Sequence, residues 1–105
     1  KINAPSAIAV CGNISFFKHP KASKFWVQDC SAATQNILLA AVALGLGTVW
    51  CGVHPIHNYI KRISTILNLP KNVIPLNVIY VGYPDEQKAI RTQYDPKRIY
   101  WNTYH

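Results

Sequence analysis

The sequence predicts an α+β fold, an α/β sandwich in which helices cover a sheet. Three observations lead there. Short apolar runs bounded by turn residues alternate with two helical stretches, in the order strand, helix, short strand, helix, strand, tail. A chain of 105 residues holds one small core and not two. Half of its residues are hydrophobic and 14% are charged, a globular composition rather than a disordered one.

Ser6 to Cys11 is a continuous apolar run closed by Gly12-Asn13, the pattern of a buried strand. The stretch to Lys24, with Pro20 and scattered basic residues, reads as a surface loop. From about Phe25 to Leu46 the period becomes helical, with Cys30, Ala33, Ile37, Ala41 and Leu44 recurring every three or four residues. Leu38, Leu39, Ala40, Val42 and Ala43 fill the other faces of its second half. Such a helix is buried nearly all round, in a core or against a partner subunit. Ser23 is a candidate N-cap, and Asp29 suits the positive end of the helix dipole. Gly45 and Gly47 are expected to end the helix.

Thr48 to Val53 is strand-like and carries Gly52. Pro55 is placed to open a second helix, whose apolar face is Ile56, Tyr59, Ile60, Ile63, Ile66 and Leu67. This helix is expected to run to Asn68-Leu69-Pro70. Val73 to Tyr83 is a further buried-type strand, closed by Pro84-Asp85. Beyond that the periodicity is lost, and residues 86–105 form an extended tail rich in Tyr, Trp and basic residues. Three strands and two helices leave the long helix short of cover. A second chain supplies it, or a part of the protein outside these residues does. Residues 1–105 therefore read as one partial domain.

Several function classes drop out. Lys1-Ile2-Asn3-Ala4-Pro5 lacks the charged-then-apolar plan of a secretory signal. No run approaches the roughly 18 apolar residues of a membrane span, so a soluble, cytoplasmic protein without membrane contact is expected. Cys11, Cys30 and Cys51 are odd in number and too far apart for a metal knuckle, and they read as reduced thiols. The net charge of +7 is scattered, its densest groups being Lys18/Lys21/Lys24 and Lys97-Arg98. A nucleic-acid binder shows a continuous basic stripe instead, so nucleic acid is not the expected partner.

The stretch from Trp26 to Ala41, reading Trp-Val-Gln-Asp-Cys-Ser-Ala-Ala-Thr-Gln-Asn-Ile-Leu-Leu-Ala-Ala, resembles the central helix of FMN-dependent nitroreductases. Leu44-Gly45-Leu46-Gly47-Thr48-Val49-Trp50-Cys51-Gly52 is similar to that family's Gly-Leu-Gly-x-x-Trp-x-Gly segment. Leu69-Pro70 with Val73-Ile74-Pro75-Leu76, then Val81-Gly82-Tyr83-Pro84, then Tyr94-Asp95-Pro96-Lys97-Arg98 follow in the family's order. Together they reach from about Ala4 to the end. The family's Arg-Arg-Ser type motif, which holds the FMN phosphate, does not precede Lys1 here. The resemblance implies a nitroreductase-like fold, a mixed and antiparallel sheet packed by helices, of which this chain carries the C-terminal portion.

It also implies FMN as cofactor and NAD(P)H as electron donor, with nitroaromatics, quinones or similar small electron-poor molecules reduced. The expected assembly is a homodimer with FMN at the subunit interface and tails wrapped over the neighbour. The alternatives are a non-catalytic fragment or degenerate relative that binds a partner, and a small basic nucleic-acid-binding domain. Flavin chemistry requires no protein nucleophile, so neither a catalytic side chain nor a metal site is expected. By the resemblance, Trp50, Cys51 and Gly52 run along the flavin ring, where glycine lets the backbone approach a flat ligand. Read from the residues alone, Trp50 and Cys51 are core and Gly52 begins a turn. Lys97 and Arg98 resemble the family's basic residues near the FMN phosphate, or else belong to a solvated basic tail. Gln28 and Asp29 are read as stabilising the helix start, with the cleft as the other possibility. His54 and His57 are read as surface histidines. Cys51 has no basic neighbour in sequence to activate it.

Overall fold

In the computed structural model, which describes residues 3–105, strand β1 spans Ser6–Asn13 and the long helix α1 spans Trp26–Ala43. Strand β2 (Gly47–Gly52), helix α2 (His57–Ile66) and strand β3 (Val73–Gly82) follow. The sheet order is β1-β3-β2, with both pairings antiparallel. The last strand in sequence is therefore the central one. That placement explains its apolar run: Pro75, Leu76, Asn77 and Ile79 are buried, with Ile79 at 0% exposure.

A proline in a central strand forfeits a ladder hydrogen bond and is tolerated at a bulge. Pro75 meets that condition, because the β1/β3 register slips between Val10 and Cys11, where Leu76 is the extra residue. The Leu76 carbonyl then turns to the other neighbour and accepts the amides of Val53 and His54, each at 3.0 Å. Beyond the slip, β1 continues through Gly12 to Asn13 instead of stopping at Cys11, opposite Ile74 and Val73. Gly12 is thus a buried strand residue and not the turn expected of it. A Cβ there would clash with the Trp26 ring.

Helix α1 grows directly out of a short 3₁₀ helix, Pro20–Phe25, and no side chain caps it. Ser23, the expected cap, donates its hydroxyl to the Pro20 carbonyl at 2.6 Å inside that turn. The helix ends as glycine chemistry requires. Gly45 has φ +75°, its amide donates to Val42, and the Leu46 amide donates back to Ala41. Gly47 belongs to β2 instead. Helix α2 closes in the same way with Asn68 at φ +53°, where Asn68 donates to Thr65 and Leu69 to Ser64. Its first residue is His57, not Pro55, which sits in the turn before it behind a cis peptide bond.

The inward stripe of α1 is Trp26, Cys30, Thr34, Ile37, Leu38 and Ala41. Ala33 and Leu44, assigned to that stripe from periodicity, are exposed, and Thr34 is fully buried. The helix is rotated slightly from its most apolar face because Thr34 meets a polar partner in the sheet. Asn77 Nδ2 donates to Thr34 Oγ1 at 3.0 Å, and Thr34 Oγ1 donates to the Cys30 carbonyl at 2.7 Å.

Burial all round α1 does not occur within one chain. Val42 is 72% exposed and Leu44 74%, with Leu39 beside them also open. The chain exposes 9016 Å², against roughly 5,900 Å² for a compact monomer of its mass. Its radius of gyration is 17.0 Å, against about 13 Å for a compact domain of this length. The residues after Gly82 carry only one short 3₁₀ turn, Pro96–Arg98, and are exposed except at Asp95.

Candidate functional site

Trp50, Cys51 and Gly52 form the end of β2, on the outer edge of the sheet. They pair with Ile79, Val78 and Asn77 respectively. Since paired residues share a face, Ile8, Ile79 and Trp50 form one row across the three strands. Asn77 bonds to α1, so this row and Gly52 lie on the α1 side of the sheet, while Cys51 points to the opposite side with Val78 and Ala9. The middle of the row is sealed and its ends are open: Trp50 remains 41% exposed. Trp50 is therefore not core. Cys51 is half-buried.

Among the described residues, its two chain neighbours aside, nothing lies within 4 Å of a Cβ built on Gly52, and its φ is outside the left-handed region. Neither internal packing nor backbone strain demands glycine there. The space over this residue is open. The far edge of β2 also leaves alternate backbone N–H and C=O groups without a strand partner among the described residues.

Two residues beyond Gly52 the chain is held firmly. The His54 ring stands edge-on to Trp26, with centroids 4.8 Å apart and planes at 72°. Its Nδ1 is buried without a hydrogen-bond partner among the described residues. His54 is therefore a packed residue, contrary to its surface assignment, while His57 is exposed as expected. The signal in the sequence was the aromatic at Trp26 with Gly12 making room for it, a pairing that spacing alone does not reveal.

Lys97 and Arg98 sit in the tail's 3₁₀ turn. Asp95 accepts the Lys97 amide at 3.0 Å and meets Arg98 Nε at 3.5 Å, while the Arg98 side chain stays 86% exposed. Among the described residues no strand or helix packs extensively against this turn. Within one chain the structure does not bring the basic pair together with Trp50, Cys51 and Gly52.

Two concavities among the described residues bear on the site. A cavity of about 220 Å³ lies between the end of β1 and the start of α1, walled by Phe16, Phe17, Trp26, Asp29 and the thiols Cys11 and Cys30. Asp29 stands in the first turn of α1, as suits the helix dipole, and lines this cleft as well. A larger open groove, about 700 Å³, runs from Pro5 past Gly47 and Thr48 to Tyr83 and Glu86. Trp50, Cys51, Gly52, Lys97 and Arg98 line neither.

The sequence profile of the nitroreductase family matches residues 1–83. The chain belongs to the nitroreductase family. A protein of Methanothermobacter thermautotrophicus, provisionally named NADH dehydrogenase/NAD(P)H nitroreductase, is 50% identical over 98 residues, 93% of this chain and 50% of that protein. One of the same name from Archaeoglobus fulgidus is 43% identical over 101 residues, 93% of this chain and 57% of that protein. The chain spans about half the length of the curated relatives it matches. Among solved structures, an FMN-dependent nitroreductase from Clostridium difficile is similar with a TM-score of 0.84 at 29% identity, covering 97% of this chain and 60% of that one.

The fold is therefore a nitroreductase fold of which these residues carry a three-stranded part. The β2 end fits a flat ligand: an exposed indole and a glycine with clear space above it lie on an unpaired sheet edge. The guanidinium of Arg98 fits a phosphate, since only its Nε is engaged. Among the described residues no helix is long and apolar enough to cross a membrane, and no group of three or more His, Cys, Asp or Glu is placed to hold a metal.

Proposed function

We propose that the protein is an FMN-dependent oxidoreductase that uses NAD(P)H to reduce nitroaromatics, quinones or similar small electron-poor molecules. The observation that carries this reading is Gly52. It keeps open space on an edge strand where the chain's own packing has no use for a glycine, and backbone approach to a planar ring has that use. When bound, FMN would supply the hydride chemistry that links the nucleotide to the second substrate. The protein's part is to orient and to exclude water. Trp50, Cys51 and Gly52 line the ring, and Lys97 and Arg98 neutralise the phosphate.

The site is completed by a second subunit. The separation of the basic turn from β2 supports this, as do the exposed Leu39, Val42 and Leu44 on α1 and the unpaired edge of β2. A homodimer with FMN between subunits covers the apolar face and offers the tail, residues 86–105, a surface to cross. Residues 1–105 act in this reading as the C-terminal part of a larger domain, consistent with their share of the relatives' length. Three unbridged thiols accord with a cytoplasmic setting.

The names of two relatives point the same way: an NADPH FMN reductase of Bacillus subtilis, 31% identical over 77 residues, and an NADPH-flavin oxidoreductase of Vibrio harveyi, 33% identical over 63. The test is the visible spectrum of the purified protein under anaerobic conditions, before and after NAD(P)H. Flavin bands that bleach with the nucleotide are expected. A protein that stays colourless when FMN is supplied is a non-catalytic relative or fragment.

A further inference from the structure

The flavin reading leaves the segment between β1 and α1 without a task. Residues 14–25 carry Phe16, Phe17, Lys18, His19, Lys21 and Lys24, with no Asp or Glu among them. Phe16 is 85% exposed, and Lys18, Lys21 and Lys24 are exposed without an ion pair among the described residues. The segment is nonetheless held at both ends. The Ile14 amide donates to the Asn72 carbonyl at 2.9 Å, and Asn72 Nδ2 donates to Asn13 Oδ1 and Ser15 Oγ. At the other end the 3₁₀ helix Pro20–Phe25 runs straight into α1.

We propose that this segment binds the adenosine 2′-phosphate half of NADPH and so makes NADPH, rather than NADH, the preferred electron donor. The inference rests on the flavin reading and deepens it. Position supports it first. Strands β1 and β2 both run antiparallel to β3, so their C-terminal ends share one end of the sheet, with Gly12 opposite Ile74 and Gly52 opposite Asn77. Both glycines face α1, since Asn77 bonds to Thr34 and a Cβ on Gly12 would clash with Trp26. Trp26 links the two places. It walls the cavity with Phe16 and Phe17, and it carries the ring of His54, two residues beyond Gly52. The two strand ends are separated by two strand spacings, about 10 Å, a gap that a dinucleotide bridges with its nicotinamide over the flavin at Gly52.

The residues suit that half of the nucleotide. Phe16 and Phe17 offer aromatic faces on which adenine stacks. Asp29, on the same cavity wall, is an acceptor-only group and matches the exocyclic amine of adenine. Its charge also keeps phosphate out of the cavity. At about 220 Å³ the cavity takes a ring and not a whole dinucleotide, since pockets for larger ligands run to roughly 300–1,000 Å³. The phosphates therefore stay outside, with the lysines. NADPH differs from NADH by one phosphate group on the adenosine ribose. Lysine binds phosphate as a point charge, and a local excess of positive charge favours the more anionic of two ligands.

The probe is 2′,5′-ADP, which has the adenosine 2′-phosphate and no nicotinamide. Its binding to the full chain is read by calorimetry, beside the KM values for NADPH and NADH. Lys18→Gln/Lys21→Gln/Lys24→Gln is expected to weaken 2′,5′-ADP and to raise the KM for NADPH about tenfold or more, with a far smaller rise for NADH and the flavin retained. Phe16→Ala is expected to raise both KM values together, because both nucleotides carry adenine. Lys88→Gln, at the opposite end of the sheet with Gly47 and Gly82, is expected to change neither. All these side chains are exposed, so the fold tolerates their loss. An unchanged ratio of the two KM values in the lysine variant overturns the proposal. So does a loss of flavin from that variant, which assigns the lysines to the FMN phosphate. A colourless protein that binds 2′,5′-ADP, and binds it less tightly as the lysine variant, refutes the flavin reading and upholds the nucleotide site.

Discussion

The Asn77 amide on the central strand donates to the Thr34 hydroxyl on the long helix at 3.0 Å, with both residues at 0% exposure. It is a polar clamp in an apolar layer, and it sets the rotation of α1 on the sheet. Asn77 Oδ1 has no partner among the described residues, so within them the clamp is only part-satisfied. Thr34→Val leaves the whole Asn77 side chain unpaired in the core. We expect a loss of about 1–3 kcal/mol in urea unfolding. Thr34→Val with Asn77→Leu together is expected to cost less than the sum of the two single changes, a coupling that a double-mutant cycle measures.

Two glycines make opposite expectations. At Gly12 an added Cβ clashes with the Trp26 ring. The indole must move, and with it the His54 ring that rests on it. Gly12→Ala is expected to cost about 1–3 kcal/mol and to shift the tryptophan fluorescence.

Gly52→Ala meets nothing within 4 Å among the described residues beyond its chain neighbours. Its stability is expected to stay within about 0.5 kcal/mol of the parent, while the flavin content of the purified protein falls. Unfolding curves and the flavin-to-protein absorbance ratio separate the two effects. Unchanged flavin content in the alanine variant refutes backbone contact at this position.

Strand and helix order was legible because the runs at Ser6–Cys11 and Val73–Tyr83 and the period of α1 are each carried by local sequence. Strand order was not. That β3 lies between β1 and β2 depends on the pairing of Ile8 and Trp50 with Ile79, which no local pattern encodes. The face of α1 was misjudged at Ala33 and Leu44 because apolarity was taken as the guide, whereas a threonine able to bond Asn77 decided the rotation. His54 was misjudged for a related reason: a histidine beside a proline reads as surface until Trp26 is placed beneath it. The β2 end was suggested by family resemblance, and the proposal that a ligand lies there draws on the empty space over Gly52. Composition showed neither.

The tail arginine tests the assembled site. The Arg98 side chain is 86% exposed and meets Asp95 only through Nε, so its removal leaves this chain's packing untouched. A charge-assisted contact contributes about 1.5–3 kcal/mol. Arg98→Gln is therefore expected to weaken FMN binding about tenfold or more without lowering the unfolding midpoint of the apoprotein. Lys97→Gln is expected to do less, lacking the planar fork. Titration of FMN fluorescence reads both. Equal affinity in the arginine variant assigns the tail to solvent.

The two cavity thiols give the fold a pH dependence of definite sign. In the folded chain burial holds Cys11 and Cys30 above the ordinary thiol range, with Cys30 acting on Cys11 and Asp29 on Cys30. Unfolding returns each to about 8.5. Between the two values the unfolded chain has lost protons that the folded chain keeps. Stability from this source is thus complete below about pH 8.5 and is lost as pH rises through the folded values. The unfolding midpoint, measured in metal-free buffer, is expected to fall more steeply above that pH in the parent than in a Cys11→Ala/Cys30→Ala variant. Identical slopes refute burial as the cause, because the other alkaline groups of the chain are common to both proteins.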